Sequence, residues 1–142
     1  MTRRLDLYEV VELTRSAKTR DQKISVLKQH ESPALKDYLR GTFDDAIQWN
    51  LPDGPVPYTP SIEESIPSNF HKQHMNLKYF VKGLQESERL NQLKRENLFI
   101  QICESVHPSD AKLLESMVNK KQPVKGLTKK IVEEAYPGLI HT

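Results

Sequence analysis

The sequence predicts an all-α protein, and three observations carry that reading. Apolar residues recur three and four positions apart through most of the chain, helix-start and helix-stop signals bracket those runs, and no alternating strand pattern lasts more than a few positions. At 142 residues the chain can bury one core without metal or disulfide staples, so it reads as one domain spanning 1–142.

Leu7, Val10, Val11 and Thr14 share one face of a first helix. Thr19 with Gln22 three residues later is a capping box that starts a second, with Ile24, Val26 and Leu27 as its apolar side. Ser32-Pro33 is an N-cap followed by proline at the first helical position, and Leu35, Tyr38, Leu39, Phe43 and Ile47 follow at helical spacing. Gly41 lowers the stability of that third helix and predicts a close approach by another backbone or by a ligand near Arg40-Gly41-Thr42.

Residues 52–70 change character. Five of the nine prolines (Pro52, Pro55, Pro57, Pro60 and Pro67) fall here, which excludes helix and central strand. Val56, Tyr58, Ile62, Ile66 and Phe70 are too many apolar groups for a free tether, so the segment is expected to form an extended strap over the helices. Helices resume at about Met75, with Leu77, Phe80, Val81 and Leu84 on one side. After a break near Gly83 to Ser87, a long helix is expected from about Glu88 to Val106 with Leu90, Leu93, Phe99, Ile100 and Cys103 as its stripe. Pro108-Ser109-Asp110 starts another through Leu113, Leu114 and Met117, and a last helix runs from about Thr128 to Tyr136 before Pro137-Gly138.

Composition narrows the function. Hydrophobic residues at 37% and charged residues at 28% suit a soluble protein, and no apolar run approaches a membrane span. The start lacks a signal-peptide stretch, which points to the cytoplasm. Net charge is only +2, but residues 1–70 carry 9 basic against 11 acidic groups and residues 71–142 carry 12 against 8, so a polyanion should meet the second half first.

Catalytic constellations are weak. His71 and His74 lack convincing further ligands for zinc, and Cys103 with His107 reads as a buried helical cysteine beside a helix-ending histidine. Asp44-Asp45 and Glu63-Glu64 are adjacent rather than facing pairs, and glycines are too scattered to cradle a nucleotide. No nucleophile, base and orienting partner come together, so the expectation is a protein that is not an enzyme and needs no metal or cofactor. The aromatics mostly fall on helical apolar faces, where packing explains them better than base stacking.

The strongest positive signal lies near the end. Lys120, Lys121, Lys125, Lys129 and Lys130 flank Gly126-Leu127-Thr128, a turn that opens a helix. Glycine admits close backbone approach, threonine can cap, and first-turn amides favour an anion, while the lysines add charge without sequence specificity. The bland alternative is a solvated lysine face.

The spacing from Gly126 through Thr128, Ile131 and Tyr136 to Pro137-Gly138-Leu139-Ile140 resembles, without a gap, the end of the helical DNA-binding domain that precedes the catalytic core in T-even bacteriophage DNA ligases. The segment from Thr19 to Leu27, and the long helix ending near Val106 with its short linker into Ser109-Asp110, fall in the same order. Outside residues 119–140 the likeness is one of pattern more than identity. The whole chain also resembles a family of short proteins from large tailed phages.

The resemblance implies an all-helical, ligase-like fold that holds duplex DNA across the minor groove by backbone contacts on either side of a nick. Position by position it implicates Lys121, Gly126, Thr128 and Lys129, with Lys125 and Lys130 as neighbours. Departures are plain: there is no lysine-any-aspartate-glycine motif, and the chain stops where a nucleotidyltransferase domain would begin, so ligation is not expected. Val124-Lys125 stands in place of an acidic and apolar pair, Pro123 stiffens the approach, and Arg40-Gly41-Thr42 is the candidate for a second contact turn. The expected function is sequence-independent binding of duplex or nicked DNA in the cytoplasm of an infected bacterial host, with no membrane partner. The alternative is an adaptor on the same fold that binds a replication, transcription or host-defence protein through the strap and Tyr58, or a virion component.

Overall fold

A computed structural model describes residues 5–121 and 124–140. The described residues form eight α-helices: α1 (Leu7–Ser16), α2 (Arg20–Gln29), α3 (Pro33–Phe43), α4 (Phe70–Gln73), α5 (Gln85–Glu88), α6 (Gln92–Ser105), α7 (Pro108–Val118) and α8 (Lys129–Ala135). Two 3-10 segments, Glu63–Ser65 and His74–Phe80, complete the helical content. The only strand-like pairing among the described residues is one antiparallel bridge, Trp49 with Val81. The protein is all-α, as the periodicity predicts.

Local capping explains the early helices. Thr19 accepts from the Gln22 amide while the Gln22 side chain returns to the Thr19 amide, closing the capping box of α2. Ser32 caps α3 with Pro33 at its first turn. α1 packs on α2, α3 and α6 both pack on α7, and α8 folds back onto α2, so both ends of the described chain close one core. Leu27, Tyr38, Leu39, Phe80, Phe99, Leu114, Met117, Leu127 and Val132 lie fully buried within it.

The strap lies over α6 and α7, held by its backbone. Gly54 N–H donates to Asn119 Oδ1 at 2.8 Å and Gly54 O accepts from Asn119 Nδ2 at 3.0 Å. Val56 N–H donates to Glu115 (2.6 Å), Thr59 N–H to Glu104 (2.8 Å) and Ser68 N–H to Ser105 O (2.8 Å). Polar groups that prolines prevent from entering a helix are thus satisfied near the ends of two others, by the Asn119, Glu115 and Glu104 side chains and the Ser105 carbonyl. Val56 and Tyr58 pack against the core, and burial raises the Tyr58 hydroxyl pKa, with Glu115 and Cys103 adding to it. Ile62 points outward, 69% exposed.

Several boundaries differ from the sequence reading. Helical structure resumes at Phe70, where the Asn69 side chain caps α4, rather than at Met75. The helix expected from Glu88 is two: α5 ends at Glu88, and Asn91 starts α6 by accepting from the Lys94 amide at 2.8 Å. Leu93 (70% exposed) and Leu84 (41%) therefore leave the core, while Ile102 enters it. Ile47 lies beyond α3, which ends at Phe43. The close approach at Gly41 is made by side chains. A Cβ there would meet Trp49 Cζ2 at 2.6 Å and Met117 Sδ at 2.8 Å. Trp49 Nε1–H also donates to Gly41 O at 3.1 Å. Gly41→Ala should therefore destabilise the protein by about 1–3 kcal/mol through overpacking, read as a lower urea midpoint at unchanged slope.

Asp110 is the most buried carboxylate, 0% exposed, in the first turn of α7. Its Oδ1 accepts from the Tyr8 amide of α1 at 2.8 Å, while Oδ2 has no partner among the described residues. Burial pushes its pKa up to about 7, opposed by the Tyr8 amide and assisted by Asp6 and Glu9. The folded state thus holds a proton on Asp110 that the unfolded chain releases near 4, so the contribution of Asp110 to stability is greatest below about pH 4 and falls as pH rises towards 7. Asp110→Asn keeps an oxygen acceptor for Tyr8 and carries no charge. It should flatten that slope and raise stability at pH 8 by roughly 2–4 kcal/mol, measured by denaturation at pH 5 and pH 8.

Candidate nucleic-acid interface

The lysine-rich turn is built between α7 and α8. After α7, Lys120 takes a left-handed conformation (φ 56°), with its N–H on Met117 O (3.0 Å) and the Lys121 N–H on Ser116 O (2.9 Å). Those bonds satisfy terminal carbonyls of α7. The turn continues with Leu127 N–H donating to Val124 O, Val124 and Leu127 buried, and Gly126 at φ 89°. Thr128 is the N-cap of α8, its Oγ1 accepting from the Ile131 amide at 3.3 Å. Two buried anchors therefore hold a loop whose polar residues face outward. Gln122 and Pro123, including the expected stiffening by Pro123, lie outside the described residues.

The predicted site residues separate into groups. Lys121, Lys125 and Lys130 are exposed around the turn and Lys129 is half-buried beside them. Lys120 faces inward. Its ammonium donates to Gly41 O (2.7 Å) and Asp44 O (2.8 Å), closing the C-terminal end of α3. Burial lowers its pKa, with the Asp45 and Asp44 carboxylates acting the other way. Thr42 is buried, and its hydroxyl donates to Tyr38 O at 2.9 Å. Arg40 lines a different cavity, with Asp37, His74 and Lys78. Of Arg40-Gly41-Thr42, Gly41 meets the lysine turn through its carbonyl on the Lys120 ammonium, while Arg40 lines the other cavity.

A basic side chain that the sequence reading passed over also meets the turn. Lys23 of α2 comes so close to the turn that a Cβ on Gly126 would lie 3.1 Å from its Nζ and 3.2 Å from its Cε. The same ammonium donates to Ala17 O (2.8 Å) and Thr14 O (3.3 Å), closing the end of α1. Only packing of α8 on α2 brings them together, supported by an ion pair between Arg20 and Glu134 and by a hydrogen bond from the Tyr136 hydroxyl to Leu27 O.

The other constellations resolve into structural roles. Cys103 is fully buried, and burial pushes its thiol up to about 12, so thiolate chemistry is suppressed. His107 caps α7 through Nδ1, which accepts from the Ser109 amide; its ring stacks on Tyr8 at 4.1 Å, and Nε2 meets Glu63 at 3.2 Å. His71 bonds to Leu5 O and His74 to Asp37, and no group of three metal-ligating residues occurs among the described residues. No described helix is long and apolar enough to cross a membrane.

A model for a family of unknown function, DUF6433, matches residues 10–123. The chain belongs to that family. The DUF6433 match takes in α2 to α7, Lys120 and Lys121, whereas Lys125 to Lys130 and α8 lie beyond it. No curated protein matches the chain.

The division between inward and outward lysines is testable by stability alone. Lys120→Met keeps the aliphatic stem but strips two carbonyls of a charged donor, and should cost roughly 1–3 kcal/mol in chemical denaturation. Lys121→Met should stay within about 0.5 kcal/mol of the parent.

Proposed function

We propose that this DUF6433 protein is a non-catalytic, sequence-independent duplex DNA-binding protein that contacts the phosphate backbone. The observation that supports it most is the set of exposed Lys121, Lys125 and Lys130 around the Gly126 turn, with Lys23 brought in from α2. The role of the turn shifts from the sequence reading. α8 is only seven residues long and Thr128 already serves its own cap, so the lysine charges carry the attraction and the glycine lets the loop come close to a strand. Lys129 stands beside them as a further contact. The resemblance to the ligase DNA-binding domain supports an approach across the minor groove, at nicks or ends, and a place in phage DNA metabolism inside the infected host. Phosphate contacts of this kind position a protein without reading bases.

The test is a salt-titrated anisotropy assay with intact, nicked and single-stranded DNA. The parent should prefer duplex or nicked DNA, with a logarithmic salt slope near −0.9 per phosphate contacted. Lys121→Glu combined with Lys125→Glu and Lys130→Glu should weaken binding and reduce that slope by about 2–3. Unchanged affinity and slope in the triple variant would remove the turn as the site.

One observation favours the adaptor reading as a second possibility. Ile62 is 69% exposed on the strap beside exposed Glu63 and Glu64, a projecting apolar group next to charges. A replication, transcription, host-defence or virion partner docking there would be lost with Ile62→Ser while DNA affinity held. Tyr58 is half-buried, packed against the core from the same strap.

A further inference from the structure

Arg40 is left over by the lysine turn, and its surroundings form a site of their own. A cavity of about 300 Å³ opens between α3 and the 3-10 segment His74–Phe80. α3 contributes Asp37, Arg40 and Gly41 at helical spacing, the 3-10 segment contributes His74, Leu77 and Lys78, and Ile47 and Trp49 add an apolar wall. Two cationic residues line the cavity, Arg40 and Lys78, against one carboxylate; the exposed Lys78 ammonium lies 5.5 Å from the Tyr79 ring in this structure and has to swing in to meet a ligand. That carboxylate, Asp37, is turned to His74 Nδ1 at 2.6 Å. The Nε of Arg40 is buried without an acceptor among the described residues. A buried donor is ordinarily paired, so an acceptor entering the cavity beside the half-buried Arg40 would satisfy it.

We propose that the cavity binds a nucleoside 5′-monophosphate group, with the phosphate at Arg40 and Lys78 and the base against Trp49 and its apolar neighbours. A guanidinium fork beside a mobile ammonium suits the several oxygens of a phosphate monoester. The part of the Trp49 indole that lines the cavity and the aliphatic wall beside it offer a base apolar contact that does not depend on its identity. The volume admits one nucleotide and is too small for a dinucleotide cofactor. The group has two possible sources, a free nucleotide or the 5′-phosphorylated end of a DNA strand. Only the second deepens the DNA-binding reading, and neither requires the lysine turn.

Trp49 is the sole tryptophan of the chain and lines the cavity, so its fluorescence, excited at the red edge, reports occupancy directly. Titration with dAMP should give a saturable change with Kd on the order of 100 μM, and deoxyadenosine should bind at least about tenfold more weakly. Lys78→Gln, at an exposed position, and Arg40→Gln should each raise Kd for dAMP about tenfold, with circular dichroism confirming intact helix content. The triple lysine-turn variant should bind dAMP as the parent does, which separates failure of this site from failure of the turn. A 5′-phosphorylated strand that binds the cavity more tightly than its 5′-hydroxyl counterpart would assign the DNA end; equal binding of the two strands would assign the free nucleotide. The proposal is overturned if dAMP gives no saturable change up to about 10 mM, if deoxyadenosine binds equally well, or if both Lys78→Gln and Arg40→Gln retain the parent affinity.

Discussion

The fold depends on closing the ends of short helices with donors and acceptors from distant parts of the chain. Its helices run from 4 to 14 residues, so a large share of their backbone groups are terminal and have no partner within the helix. Lys23 closes α1, the Tyr136 hydroxyl closes α2, Lys120 and Trp49 close α3, and Arg95 donates to Ser87 O and Leu90 O at the end of α5. Asp110 serves an amide at the start of α1 from the first turn of α7. Helices this short would not persist alone, and each such bond spends a polar group on tertiary structure. The Lys120 bonds span 79 and 76 positions and the Tyr136 bond 109, so they also fix which helix lies against which.

This constraint decides which charges are available for function. Counting basic residues treats every lysine near the turn alike, yet a lysine serving buried carbonyls cannot leave them for a phosphate without exposing an unsatisfied helix end. Lys120 is of that kind. Lys23 is intermediate: two of its three donors serve α1, and the remaining one is beside the Gly126 turn. The outward set, Lys121, Lys125 and Lys130, has no such duty at the ends of helices. The division follows from geometry rather than from residue type.

Legibility from sequence followed the range of the interactions. The capping box at Thr19 and Gln22, the Ser32-Pro33 start and the buried faces of α1 and α3 were readable because each is settled within a few residues. The strap was readable from its prolines. The long helix was read too far because Leu90 and Leu93 continue an apolar period, while the Asn91 cap outweighs it locally; propensity and periodicity do not say which competing signal wins. Arg95, nearly buried and capping α5, and Lys23, inserted at Gly126, had no signal of their own, because their roles exist only once remote segments meet. Nor does anything local mark that the Thr42 hydroxyl donates one helical turn back, to Tyr38 O.

The same logic sharpens the charge asymmetry of the two halves. Several acidic groups of the second half are drawn into the structure: Glu88 accepts from the Gly83 amide, Glu104 and Glu115 from strap amides, Asp110 from Tyr8, and Glu134 pairs with Arg20. Asp110, with its pKa near 7, is moreover partly neutral at neutral pH. Carboxylates that accept backbone hydrogen bonds or pair with a cation have their field partly offset, and so oppose an approaching polyanion less than a free surface carboxylate would. The strap therefore does more than cover α6 and α7. By engaging Glu104 and Glu115 it helps leave the outward field of this half to its basic residues, and that field, more than the modest net charge, is what a phosphate backbone would meet.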